Sequence, residues 1–113
     1  MYGSRIAGTG ASVPERVFTN ADLARIVNTS DEWIVTRTGI SERRIADDSQ
    51  ATSDLAEQAA RRALEAAGVD PLDVDLILVS TVTPDMFFPS TGCVLQERLG
   101  ASQAAAFDLS AAC

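Results

Sequence analysis

The residues of this 113-residue chain that could do chemistry are few: two cysteines, three neighbouring arginines and no histidine. Cys113 closes the stretch AFDLSAAC, residues 106–113, which reads as a short apolar strand turning into the start of a helix. In open α/β sheets reactive groups collect at the carboxyl ends of strands, beside helix N-termini. A thiol placed there gains from the helix dipole, which favours the thiolate, the reactive form. Two roles therefore fit Cys113, a nucleophile or a small buried hydrophobe, since free cysteine is among the most buried residue types. Cys93 falls inside a predicted helix and is expected in the core. The pair forms neither a disulfide framework nor a CxxC motif. Without histidine the usual zinc sites and the commonest general base are missing, so no metal is expected.

Arg37, Arg43 and Arg44 lie close in sequence and suit either a site for an anionic cofactor or a solvated loop. Gly8-Thr9-Gly10 resembles the start of a dinucleotide loop. The third glycine is replaced by Val13, and Pro14 interrupts the place where the helix should begin, so no Rossmann cofactor site is expected.

The elements that must position these residues follow an α/β pattern. Residues 4–8 read as a first strand. TNADLARIV starts a helix with Asn20 as its cap and Leu23, Ile26 and Val27 on one face. Residues 28–46 combine a capped helical turn at 29–33 with loop or short strand. Residues 52–67 form the strongest helix, with Asp54 and Glu57 suited to a capping box, Gly68 as its stop and Pro71 just beyond. Its inward face, Ala56, Ala59, Ala60, Ala63, Leu64 and Ala67, calls for a tightly packed neighbour. Residues 74–81 and 104–109 read as strands buried on both faces, with a helix over 91–99 between them that ends at Gly100. Strand, helix, strand in this order predicts a parallel sheet.

The net charge of −7 argues against a nucleic-acid surface. The longest apolar runs fall far short of the ~20 residues of a spanning helix, so a cytoplasmic protein without membrane partners is expected. Because a strand buried on both faces needs helices on both sides, the chain reads as the front part of a longer polypeptide that stops within a βα unit.

Residues 28–46 (NTSDEWIVTRTGISERRIA), 88–93 (FPSTGC) and 106–113 (AFDLSAAC) together resemble β-ketoacyl-acyl carrier protein synthase III, and GTGASVPERVFTNADL, residues 8–23, fits as well. The resemblance runs over essentially all 113 residues. It implies a thiolase-like α/β fold, layered α-β-α-β-α in the full enzyme, with this chain forming an incomplete synthase domain and most of its first half. It implies a homodimer whose partners are acyl-coenzyme A, a substrate rather than a resident cofactor, and malonyl-acyl carrier protein. Cys113 matches the family nucleophile. Trp33 matches the residue that stacks on the adenine of coenzyme A, Arg37 the arginine near its phosphates, and Thr29 a position at the mouth of that site. Phe88 matches a residue that crosses the dimer interface to line the partner's acyl pocket. Asp108 receives no catalytic role. The family's histidine and asparagine for decarboxylation lie far downstream, so residues 1–113 alone are expected to be inactive in condensation. The alternatives are a relative that loads starter acids for polyketides or transfers acyl groups to oxygen or nitrogen, and a non-catalytic fragment with an exposed sheet edge.

Overall fold

The computed structural model describes residues 3–111. In chain order the elements are β1 (Arg16–Thr19), α1 (Asn20–Ala24), α2 (Asp31–Thr38), β2 (Glu42–Ile45), α3 (Thr52–Ala67), a 3-10 turn (Pro71–Asp73), β3 (Leu76–Ser80), α4 (Thr91–Leu99) and β4 (Ala105–Leu109). The backbone divides into two compact units, residues 13–49 and the remainder.

In the unit of residues 13–49, β1 pairs antiparallel with β2, from Arg16 opposite Ile45 to Thr19 opposite Glu42. The cap of α1 is Thr19, not the Asn20 expected from the sequence. Thr19 Oγ1 accepts the Asp22 N–H at 3.1 Å, and Asp22 Oδ2 accepts the Thr19 N–H at 3.0 Å, a reciprocal capping box. The helix also ends at Ala24, leaving Ile26 and Val27 exposed rather than on a helical face. The Arg25 and Ile26 N–H groups bond to carbonyls three residues back, which tightens the last turn. Helix α2 is longer than the single turn read at residues 29–33. Ser30 Oγ accepts the Trp33 N–H at 3.1 Å to start it, and Gly39, at φ 70°, ends it in the left-handed conformation.

In the other unit α3 has the bounds read from the sequence, but its cap differs. The N-cap is Ala51, which has no acceptor side chain, so Asp54 alone turns back, accepting the Ala51 N–H at 2.7 Å. Glu57, a full turn further in, pairs instead with Arg61 at 2.8 Å and Arg98 at 3.5 Å. Arg98 also meets Asp54 at 2.8 Å and so ties α4 to α3.

The alanine stripe divides between two neighbours. Ala56, Ala60 and Leu64 pack on the core of Leu95, Leu99, Ala101 and Ala104. Ala59, Ala63 and Ala67 lie under the backbone of Gly8 and Gly10. A Cβ at Gly8 would stand 2.5 Å from the Ala63 carbonyl oxygen, and one at Gly10 would overlap that of Ala59. These glycines therefore serve close approach to a helix. Residues 4–8, which end at Gly8, are not the strand expected. Among the described residues β3 hydrogen-bonds only to β4, and a segment without a ladder partner cannot form a strand.

Strands β3 and β4 run parallel, Leu76 opposite Ala105 through Ser80 opposite Leu109, with α4 in the crossover. Ile77 and Val79 face the core. The expectation of burial on both faces is corrected: Leu76, Leu78, Phe107 and Leu109 are half-exposed on the other face, because α3 and α4 cover one side only. Cys93 departs from its expected place too. It is exposed, with its Sγ 3.3 Å from Ser90 Oγ, because the packed positions of α4 are Leu95 and Leu99.

The Asp54 cluster makes a pH prediction. The Ala51 N–H, and then the Arg98 guanidinium, hold the Asp54 carboxyl below its ordinary value of 3.8. A carboxylate depressed on folding contributes stability above its unfolded pKa, and that contribution is lost as pH falls through the lower folded value. Asp54→Asn is expected to lower the urea midpoint at about pH 6 and to converge with the parent protein below about pH 3. A gap of constant size across that range would refute the assignment.

Candidate functional site

Two regions carry the residues singled out by sequence, one in each unit. In residues 13–49 a groove of about 710 Å³ is lined by Thr29, Ser30, Trp33 and Arg43 over a floor that includes Leu23 and Ile34. Helix α2 supplies its wall. Capping by Ser30 fixes the first turn, Ile34 is buried and anchors the helix, and Trp33, the preceding residue, stays 54% exposed. Arg37 follows Trp33 by one turn, and its guanidinium carbon lies 4.4 Å from the indole centroid. That is a cation–π stack, which holds the side chain in a fixed place at modest cost.

Sequence reasoning missed how Arg43 is set. Asn20 is buried, and every polar group of its side chain is used. Nδ2 donates to Asp31 Oδ1 and to the Ile40 carbonyl, both at 2.8 Å, while Oδ1 accepts from Arg43 Nη1 at 2.7 Å. The amide thus joins α1, the start of α2 and β2, and orients a half-buried guanidinium at the groove. An asparagine before a helical pattern signals a cap, and nothing local distinguishes a hub from a cap.

The three arginines separate by role. Arg44 bonds to Glu42 at 3.2 Å and reaches the Pro14 and Glu15 carbonyls. Among the described residues no carboxylate lies within ion-pair distance of Arg37 or Arg43. A flat indole, two cations without carboxylates and an apolar floor together suit a ligand with a planar ring and anionic groups.

In the second unit, β4 leads to Ser110 and Ala111, both exposed. Cys113 lies outside the described residues. Asp108 is the informative residue here: Oδ2 accepts the Thr91 N–H at 2.8 Å and Oδ1 the Gly92 N–H at 2.7 Å, so the carboxylate caps α4. Asp85 does the same for α3, accepting the Ser53 N–H at 2.9 Å. Both helix N-termini beside the parallel strands are thus already filled by carboxylates. Phe88 projects from the loop between β3 and α4 and is 89% exposed, beside a fully exposed Phe87. Adjacent bare aromatic side chains of this kind mark contact surfaces. The structure brings Thr29, Trp33 and Arg37 to one groove region and puts Phe88 in the other unit. Among the described residues no group of three or more His, Cys, Asp or Glu side chains is placed to hold a metal, and no helix is long and apolar enough to cross a membrane.

No protein-family model matches the chain. Individual relatives do. The β-ketoacyl-[acyl-carrier-protein] synthase III of Caldanaerobacter subterraneus is 64% identical over 108 residues, 96% of this chain and 33% of that protein. The chain belongs to the β-ketoacyl-acyl carrier protein synthase III family. The crystal structure of 3-oxoacyl-[acyl-carrier-protein] synthase III from Aquifex aeolicus matches at TM-score 0.89 and 51% identity, over 96% of this chain and 35% of that one. A priming β-ketosynthase of a polyketide biosynthetic pathway has the same TM-score of 0.89 at 42% identity, over 95% of this chain and 32% of its own. The fold is therefore that of the thiolase-like synthase III enzymes, and the chain spans about a third of the length of these relatives.

Proposed function

We propose that the protein carrying this chain is a synthase III acyltransferase that starts type II fatty acid synthesis in the cytoplasm. It would condense a short acyl-coenzyme A with malonyl-acyl carrier protein. The observation that carries this reading is the 64% identity with a synthase III over nearly the whole chain. In the reaction the Cys113 thiolate attacks the acyl-coenzyme A carbonyl, the carbon–sulfur bond to coenzyme A breaks, and a thioester remains on the enzyme. Malonyl-acyl carrier protein then loses carbon dioxide, and the electron pair of the broken bond becomes an enolate. The enolate carbon attacks the thioester carbonyl, and the Cys113 thiolate is expelled as the β-ketoacyl product forms.

The groove supports a coenzyme role for Trp33, Arg37 and Thr29: the indole would stack on adenine, the guanidinium would face phosphate, and Thr29 would lie at the mouth. Arg43 adds a second cation. The exposure of Phe87 and Phe88 supports a homodimer in which Phe88 enters the partner's acyl pocket. No resident cofactor is needed, since acyl-coenzyme A is consumed. A second reading, a starter-unit enzyme of polyketide synthesis, draws on the 42% identity to a priming β-ketosynthase.

Intact-mass analysis before and after incubation with acetyl-coenzyme A tests the proposal, with peptide mapping of the modified site. An acetyl increment on Cys113, followed by its discharge with malonyl-acyl carrier protein, is expected. Absence of uptake would sink the enzyme reading. Uptake from larger starter thioesters alone would favour the polyketide one.

A further inference from the structure

Asp108 occupies the penultimate position of β4, where aspartate is disfavoured by strand geometry and by the absence of an apolar side chain to pack. Its reason for being there is long-range. Helix α4 already has a local cap, because Ser90 Oγ accepts the Cys93 N–H at 3.3 Å. The Asp108 carboxylate adds what no local residue supplies, two short bonds at 2.8 and 2.7 Å to Thr91 and Gly92, which stand sixteen or more residues earlier in the chain. Bonds to an ionised acceptor are the stronger kind.

A second observation places the same two segments in direct contact. Gly92 is buried, and a Cβ there would lie 2.9 Å from the Phe107 nitrogen and 3.1 Å from its carbonyl oxygen. The first turn of α4 thus rests on the β4 backbone with no room for a methyl group. The chain that enters this joint passes Phe88, three residues before Thr91. The chain that leaves it runs five residues to Cys113.

We propose that Asp108 is a positioning residue: its clamp on α4 fixes the exit of β4 and so aims the nucleophile, an inference that rests on the assignment of Cys113 to that role. The carboxylate needs no contact with the sulfur to act. It holds the strand end and the helix start as one rigid piece, and small displacements of a reacting group are costly in rate.

The test uses the full protein in the series Asp108→Asn, which keeps an acceptor for one N–H, and Asp108→Ala, which keeps none. Single-turnover acetyl transfer to Cys113 is followed by quenched-flow mass spectrometry at several acetyl-coenzyme A concentrations, below each variant's melting temperature. The transfer rate constant should fall about tenfold in the asparagine variant and further in the alanine variant, while the half-saturating concentration stays within about twofold. Gly92→Ala, which disturbs the same joint with the carboxylate intact, should reproduce the loss. Wild-type rates in a folded Asp108→Asn protein, or a change confined to half-saturation, would overturn the proposal. If the wild-type protein takes up no acetyl group, the functional reading fails instead. The alkylation rate of Cys113 by iodoacetamide then decides the positioning claim alone: a several-fold difference between the wild type and Asp108→Asn upholds it, and equal rates reject it.

Discussion

On the proposed assignment, Cys113→Ala is expected to abolish acetyl uptake from acetyl-coenzyme A and to lower condensation by on the order of 10⁴-fold or more. The size of the effect follows from covalent catalysis. The nucleophile does not tune a barrier that another group can lower; it supplies the bond on which both half-reactions depend. The other cysteine of this chain, Cys93, sits on α4, sixteen residues earlier than β4's terminal Leu109. The variant should still bind acyl-coenzyme A, because the groove at Trp33 belongs to residues 13–49. Binding is measured by calorimetry and uptake by intact mass. Acetyl uptake that persists in Cys113→Ala, mapped to Cys93 or elsewhere, would refute the assignment.

On the proposed coenzyme role, Trp33→Ala is expected to raise the half-saturating acyl-coenzyme A concentration by about ten- to a hundredfold and to leave the rate at saturation nearly unchanged. The indole is held away from the core and offers a half-exposed aromatic surface, and removing it also strips Arg37 of the ring on which its guanidinium rests at 4.4 Å. Both losses would fall on the part of the substrate that does not react. Such binding is uniform between ground state and transition state, so it appears in KM and not in kcat. Arg37→Lys should share part of the loss, since an ammonium has no planar face to stack. Steady-state kinetics separates the cases. A fall in kcat without a change in KM would show that Trp33 serves packing instead.

The groove and the joint at Asp108 were legible to different degrees. Ser30, Asp31 and Gly39 carry ordinary start and stop signals, so a helix near Trp33 could be read, though only its first turn was. Trp33 and Arg37, four apart, are neighbours on any helix, and their stack follows from helical spacing once α2 is seen to extend to Thr38. Asn20 was misread because its partners, Asp31, Ile40 and Arg43, come from segments 11 to 23 residues away, and nothing local announces them. The role of Asp108 as a cap across 16 or 17 residues is invisible in the sequence for the same reason.

Local chemistry was enough where one segment satisfies its own backbone. Helix α3 begins with Asp54 turned back on the chain and ends at Gly68 with φ 64°, and its bounds could be read to the residue. The strand–helix–strand order of β3, α4 and β4 was equally plain, because apolar runs punctuated by Ser90 and Gly100 have few other solutions. Tertiary structure decided what depends on a partner. Residues 4–8 have strand-like composition but form no strand, and Gly8 at their end abuts α3, because a strand exists only where another backbone accepts its hydrogen bonds. Cys93 is apolar enough for a core and sits outside it, because helix α4 turns Leu95 and Leu99 inward instead. A sequence states each residue's preference; which preference is met depends on the groups that the rest of the chain brings within reach.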